Sequence, residues 1–460
     1  MKFNLKSKQS ILSYAAKLEG LPLHDSFVRE GLSLTRADGT PWTLRSKNVG
    51  EGSKAGFGAA VQEGYFGLEV DSRPEPDFAE ANLELKTTAL KKLKSGSWVP
   101  KERLKITAID YHALGIEAFE QSRLAHKAND MLIVFYLHEP GIDNPLLLEV
   151  NRVINWGLGS APKDVLEVIQ QDYLTLQEKV IAGLAHEISG GDTQYLEALT
   201  SGVGHGQRKT QPFSVETAKP RSFALKQSLL REILKGPSVR IPAVQNPLKQ
   251  SLAAIAKYRL RTAESLRREL GPNLQPTGKG LTSSVTNRIL GKELKRSLDL
   301  GEIKVVNMRC REDWTPNESV PFPAFSFESL SREDDWYLSS CRQQMEQGML
   351  LVVWKKGETL GDSLLLGAFP WTLPQSDLEG PVQECWVRAR RAIAQGDGTL
   401  FPGAKENPVA HVRPHGRNKS DVDFFSDGSS FTKQSFWINS GYLKGVVSSA
   451  VLRGEVQRQP

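Results

Sequence analysis

The segment DFAEANLELK, residues 77–86, sets two carboxylates and one amine at a fixed spacing. Six residues separate Asp77 from Glu84, and one apolar residue separates Glu84 from Lys86. Read as a strand, ANLELKTT places Glu84 and Lys86 on one face. Leu83, Leu85 and Thr87 take the other, because successive side chains of a strand alternate. The leucines then pack into a core while the charged pair faces a cleft. Asp77 follows the Pro-rich turn SRPEPD and can bend back towards Glu84.

Two carboxylates that converge repel each other unless a cation lies between them. A hard ion such as Mg²⁺ prefers oxygen ligands and keeps several waters. It also binds phosphate oxygens and lowers the pKa of a bound water. A lysine beside that water orients it and offsets charge developing on a phosphate. The chemistry this suits is phosphodiester hydrolysis, with no cysteine or serine nucleophile. Taken alone, E-x-K on a half-exposed strand is more often a solvated charge pair. The neighbouring segments therefore have to decide.

The chain has 460 residues, a length natural for two domains, with 39% hydrophobic and 24% charged residues, an ordinary globular balance. Its net charge is +6. Between His205 and Arg261 stand twelve lysines and arginines against two glutamates, which favours a phosphate-facing surface over a merely solvated one. Cys310, Cys341 and Cys385 form no C-x-x-C pair, so neither a zinc site nor a disulfide framework is expected. The N-terminus lacks the apolar core of a signal peptide, and runs such as MLIVFYL (131–137) are too short to span a bilayer. The expectation is a cytoplasmic protein without membrane contact.

The two halves echo each other in order. KQSILSYAAK from Lys8 matches KQSLAAIAKY from Lys249, and KAGFGAAVQEGYFG ending at Gly67 matches KGLTSSVTNRILG ending at Gly291. LELK (83–86) pairs with GEIK (301–304), MLIVFYLHE with MLLVVWKKGE, and FALKQSLL with FTKQSFWI. The order argues for two copies of one mixed fold, residues 1–235 and 248–460. They are joined by the Pro- and Gly-bearing segment 236–247.

At this point the chain resembles the MutH-type endonucleases. DFAEANLELKTT is similar to their active-site segment. KAGFGAAVQEGYFG is similar to the helix bearing a further acidic residue, Glu63 here, and SRLAHKANDMLIVFYL (122–137) to the segment with a second active-site lysine, Lys127. GDTQYL (191–196) and AKPRSFALKQS (218–228) resemble the DNA-contacting part. NPVAHVRPHGRN (407–418) and DGSSFTKQSFWIN (427–439) resemble the C-terminal half of two-domain restriction enzymes that cut at GATC. The resemblance implies an α/β (α+β) fold of two tandem restriction-endonuclease-like domains, each a mixed central sheet flanked by helices. It implies that Asp77, Glu84 and the Leu85 carbonyl hold Mg²⁺, that Lys86 positions the attacking water, and that Glu63 and Lys127 support the site. Cleavage of double-stranded DNA just 5′ of the G of GATC follows from it, as does a cognate methyltransferase in the same bacterial system.

The second copy departs from this pattern. Counting back from matched landmarks, Asn287 stands for Glu63, Lys295 for Asp77 and Met345 for Lys127, while Glu302 and Lys304 remain. A lysine at a cation's site implies a copy that binds DNA and regulates without cutting. In GVGHGQRKTQ (202–211), Arg208 and Lys209 are candidates for base readout or for phosphate contact. Lys219, Arg221 and Lys226 are expected on phosphates, and Arg413, His415 and Lys433 occupy the equivalent region of the second copy. One active site per chain predicts a DNA-dependent dimer or sequential nicks, and two DNA sites per complex. A MutH-like mismatch-repair nickase and a non-catalytic DNA-binding regulator are the alternatives.

Overall fold

The computed structural model describes residues 2–42, 54–69, 75–93, 96–139, 141–201, 207–236, 246–271, 280–416, 418 and 420–458. The chain forms two compact units: Met1–Ile188 with Asp192–Ala243, and Val244–Pro460 with Ser189–Gly191. Most of the joining segment expected at 236–247 lies outside the described residues. Both units are mixed α/β, with mixed sheets flanked by helices. No helix among the described residues is long and apolar enough to cross a membrane.

In the first unit, a five-stranded sheet has the order β1-β6-β5-β2-β3, with β1 Leu21–Pro22, β2 Glu84–Lys92, β3 Trp98–Pro100, β5 Met131–Leu137 and β6 Glu149–Trp156. The run MLIVFYL forms β5 and is buried at every position, as a central strand with both faces covered must be. β2 runs parallel to β5 with Glu84 opposite Met131, and β6 runs antiparallel to β5. Leu83, Leu85 and Ala89 enter one core with Phe57, Val61 and Tyr136. A second sheet, β4-β8-β7, is built from Leu104–Ala108, Arg221–Leu225 and Leu196–Thr200.

The second unit repeats this order. β9 (Lys304–Cys310) runs parallel to β11 (Met349–Lys355), which is antiparallel to β12 (Leu364–Trp371). A further sheet has the order β10-β16-β13, from Val320–Pro321, Gln434–Ile438 and Ala410–Pro414, and β14 (Val422–Phe424) pairs with β15 (Ser430–Thr432). Gly67 and Gly291 both sit at positive φ, +67° and +70°. That is the left-handed conformation that ends a helix and favours glycine.

Two of the sequence matches shift. Glu84 N–H donates to Asp130 O at 3.0 Å, and Lys304 N–H donates to Gly348 O at 2.9 Å. Lys304 therefore occupies the rung of Glu84, and Val306 that of Lys86. Glu302 precedes the strand, in a turn at φ +55°. The match of LELK with GEIK was two residues out of step. The second shift concerns KQS, which follows β8 in the first unit but runs into the start of β16 in the second, where Gln434 and Ser435 are the strand's first two residues. SFAL (222–225) corresponds to SFWI (435–438), so Lys226 corresponds to Asn439 at the start of the next helix.

Candidate active site

The edge of β2 builds the site. In the parallel ladder, alternate residues direct their main-chain groups to β5, so those of Leu85 point to the opposite edge. There the Leu85 N–H donates to Asp77 Oδ2 at 2.8 Å, which bends the segment before the strand back onto it. The Leu85 carbonyl faces the same edge. Glu84 is buried, and its carboxylate accepts from Lys127 Nζ at 3.1 and 3.2 Å and also from Lys86 Nζ. Lys127 comes from the helix Arg123–Ala128, capped by Ser122, whose Oγ accepts from Ala125 N–H at 3.1 Å. The structure thus brings Asp77, Glu84, Lys86 and Lys127 together from segments up to fifty residues apart.

Burial raises the pKa of Asp77, and the nearby Glu84 carboxylate raises it further; Lys86, the Leu85 N–H and Lys127 oppose the rise. Two carboxylates and one carbonyl on a shared edge are hard oxygen donors, the set a Mg²⁺-like ion prefers. Among the described residues no three acidic, histidine or cysteine side chains converge as a metal cage. Such an ion would keep water and phosphate oxygens in its remaining positions.

Glu63 lies on a π turn, Ala60–Tyr65, that continues the helix Lys54–Ala59. The sequence pattern missed its neighbour. Gln62 reaches the site, its Nε2 donating to Asp77 Oδ1 at 3.2 Å and to Glu69 O at 3.0 Å. The signal was present in the chain: Lys54 to Gly67 is one residue longer than Lys279 to Gly291, and a π turn is what one inserted residue makes of a helix.

The expected DNA contacts divide. Arg208 is exposed, and Lys209 is partly buried with Nζ donating to Ile109 O at 3.0 Å; residues 202–206 of that loop lie outside the described residues. Lys219, Arg221 and Lys226 are buried. Arg221 donates to Ala198 O at 2.6 Å and to Ile188 O, and Lys226 donates to Thr193 O at 2.6 Å. In this structure both guanidinium and ammonium are buried and hold main-chain carbonyls inside the fold. Asn439 does the same in the second unit, donating to Asn407 O at 2.7 Å. There Arg413 is exposed and stacks on Trp437 at 4.5 Å, His415 lies 2.9 Å from Ser435 Oγ, and Lys433 pairs with Asp421.

Comparison with known proteins agrees with this geometry. The family of the DNA mismatch repair enzyme MutH matches residues 66–172, the segment that carries Asp77, Glu84, Lys86 and Lys127. The type II restriction enzyme Sau3AI of Staphylococcus aureus is 30% identical over 458 residues, covering 85% of this chain and 92% of that protein. The chain belongs to the MutH-type, Sau3AI-like restriction endonucleases. Membership makes it a nuclease with a restriction-endonuclease-like fold. The site at β2 is then the place to seek its chemistry, and DNA is the expected substrate.

Proposed function

We propose that this chain is a Mg²⁺-dependent restriction endonuclease that cuts double-stranded DNA at GATC, 5′ of the G, using its first unit alone. The observation that carries the reading is Glu84, a buried carboxylate held between two ammonium groups and beside Asp77. Asp77, Glu84 and the Leu85 carbonyl would hold the ion. When bound, it would polarise a phosphate oxygen and lower the pKa of a coordinated water. Lys86, half-shielded on the same strand face, orients the attacking water and offsets negative charge on the phosphate. Lys127 holds the Glu84 carboxylate in place through its hydrogen bonds, and Glu63 supports from the adjacent turn.

The second unit binds a further DNA site and regulates the first. At its equivalent rung Lys304 donates to Pro321 O and lies 4.2 Å from the Phe322 ring, so an internal cation fills the place of a ligand carboxylate. One active site per chain calls for a DNA-dependent homodimer or two successive nicks at a palindrome. The exposed Arg208 and Arg413 are the candidates for contact with DNA, with Lys209, His415 and Lys433 beside them. A cognate methyltransferase would protect the host's own sites, and the setting is the bacterial cytoplasm.

The match to MutH favours a second reading, a nickase of mismatch repair. Incubation of the purified chain with unmethylated plasmid and Mg²⁺, followed by sequencing of product ends, separates the two. Uniform double-strand ends at GATC without accessory proteins support the restriction enzyme. Single nicks alone support the nickase. Intact DNA that is still bound would point to a non-catalytic regulator.

A further inference from the structure

Gln62 touches the site without being one of its expected members. Its amide meets two acceptors, Asp77 Oδ1 at 3.2 Å and the Glu69 carbonyl at 3.0 Å. A carbonyl can only accept, so the NH₂ end must face both, and the orientation of the amide is fixed by chemistry. With the Leu85 N–H on Oδ2 at 2.8 Å, each oxygen of Asp77 has one donor among the described residues. The carboxylate plane is thereby set, and each oxygen keeps a lone pair for another partner.

The helix geometry belongs to this contact. The first unit's helix runs one residue longer to its terminal glycine and forms the π turn Ala60–Tyr65. The second unit's helix reaches Gly291 without a π turn. Five residues before that glycine, where the first unit has Gln62, it has Thr286, which is buried. Thr286 Oγ1 donates to Asn307 Oδ1 at 2.5 Å, a bond that only docks helix on strand. The unit with the acidic site carries the insertion; the unit without it does not. Single π turns are rare and concentrate at functional sites.

We propose that Gln62 is a positioning residue that orients Asp77 for a divalent cation and so sets the first unit's cation affinity. This rests on the reading of Asp77 and Glu84 as cation ligands. A glutamate at 62 would have nothing to donate and would add a third negative charge; the neutral amide steadies Asp77 without competing for the ion.

The test is titration of the full chain with Mn²⁺, without DNA, by isothermal calorimetry. Gln62→Met keeps length and loses the donor; Gln62→Asn keeps the amide but draws it back by one methylene. Both are expected to bind Mn²⁺ about tenfold more weakly, as loss of an outer partner of a metal ligand commonly does. Their cleavage should recover at raised Mg²⁺, with KM for DNA unchanged. Unchanged Mn²⁺ affinity in these variants, alongside lost affinity in Asp77→Ala, overturns the role of Gln62. Unchanged affinity in Asp77→Ala as well overturns the ligand assignment and this inference with it.

Discussion

At the rung where Glu84 faces Met131 in the first unit, the second unit sets Lys304 against Met349. Two further positions change with it: Lys86 becomes Val306, and the lysine supplied by the helix before β5 gives way to the buried Met345. The strands, their directions and the helix-ending glycines are kept. The architecture survives because it depends on apolar burial and strand order, which these polar positions hardly touch. What separates the two units is local charge: a carboxylate pair steadied by two ammonium groups in one, an ammonium over a phenyl ring in the other.

The comparison is sharpened most by removing the first unit's ammonium groups. Lys86→Ala is expected to slow cleavage about 10²–10³-fold in single-turnover assays, the usual cost of one electrostatic contact to a reacting group. Lys127→Ala, which frees Glu84, is expected to slow it about 10–100-fold, the usual cost of losing an outer partner of a metal ligand. Rates within a factor of two of wild type would break the assignment. Next comes Asp172, buried in the helix Lys163–Ile181, whose carboxylate accepts the N–H groups of Gln194, Tyr195 and Leu196 at 2.7, 2.6 and 2.8 Å. Asp172→Ala orphans all three and should destabilise the first unit by about 3 kcal/mol in urea unfolding. In the second unit Asn407 Oδ1 accepts from the N–H groups of Val409 and Ala410 at 3.0 and 2.9 Å.

Smaller effects distinguish buried from exposed basic residues. Lys226→Ala should cost about 1–3 kcal/mol of stability with the salt dependence of DNA binding unchanged. Arg208→Ala should leave stability unchanged and reduce the salt slope by about one. The reverse pattern would restore Lys226 as a phosphate contact. The smallest effect concerns Lys304, whose pKa burial lowers from 10.5 to about 8. Between those values the unfolded chain holds a proton that the folded chain has released. Folding should therefore gain from Lys304 as pH rises from about 8 to 10.5. Below pH 8 the fold carries the charged form at full cost. The urea midpoint of wild type, compared with that of Lys304→Met, should rise between pH 8 and pH 10; parallel curves would contradict the placement.

Much of this was readable in the chain, and the exceptions have physical causes. D-x6-E-x-K and the apolar run 131–137 were legible because strand alternation and full burial write themselves into composition. The GEIK match failed by two residues. A slip of two preserves which face each side chain takes, so pattern alone cannot detect it. Only the hydrogen bond from Lys304 to Gly348 fixes the rung. The basic run reads as one surface because a sequence does not distinguish a lysine in water from one donating to Thr193 O inside the fold. Gln62 escapes the sequence pattern because an inserted residue in a helix shows only as a length difference, and its direction depends on how the helix absorbs it.

The central claim is that the first unit alone cuts. The direct measurement is the full chain carrying Asp77→Ala and Glu84→Ala, incubated with unmethylated plasmid and Mg²⁺, with product ends sequenced and DNA binding followed in parallel. Retained binding and no ends above background are expected, because Lys304 and Val306 stand in the second unit on the rungs of Glu84 and Lys86. Specific cleavage by that variant would show an active second unit and contradict the account.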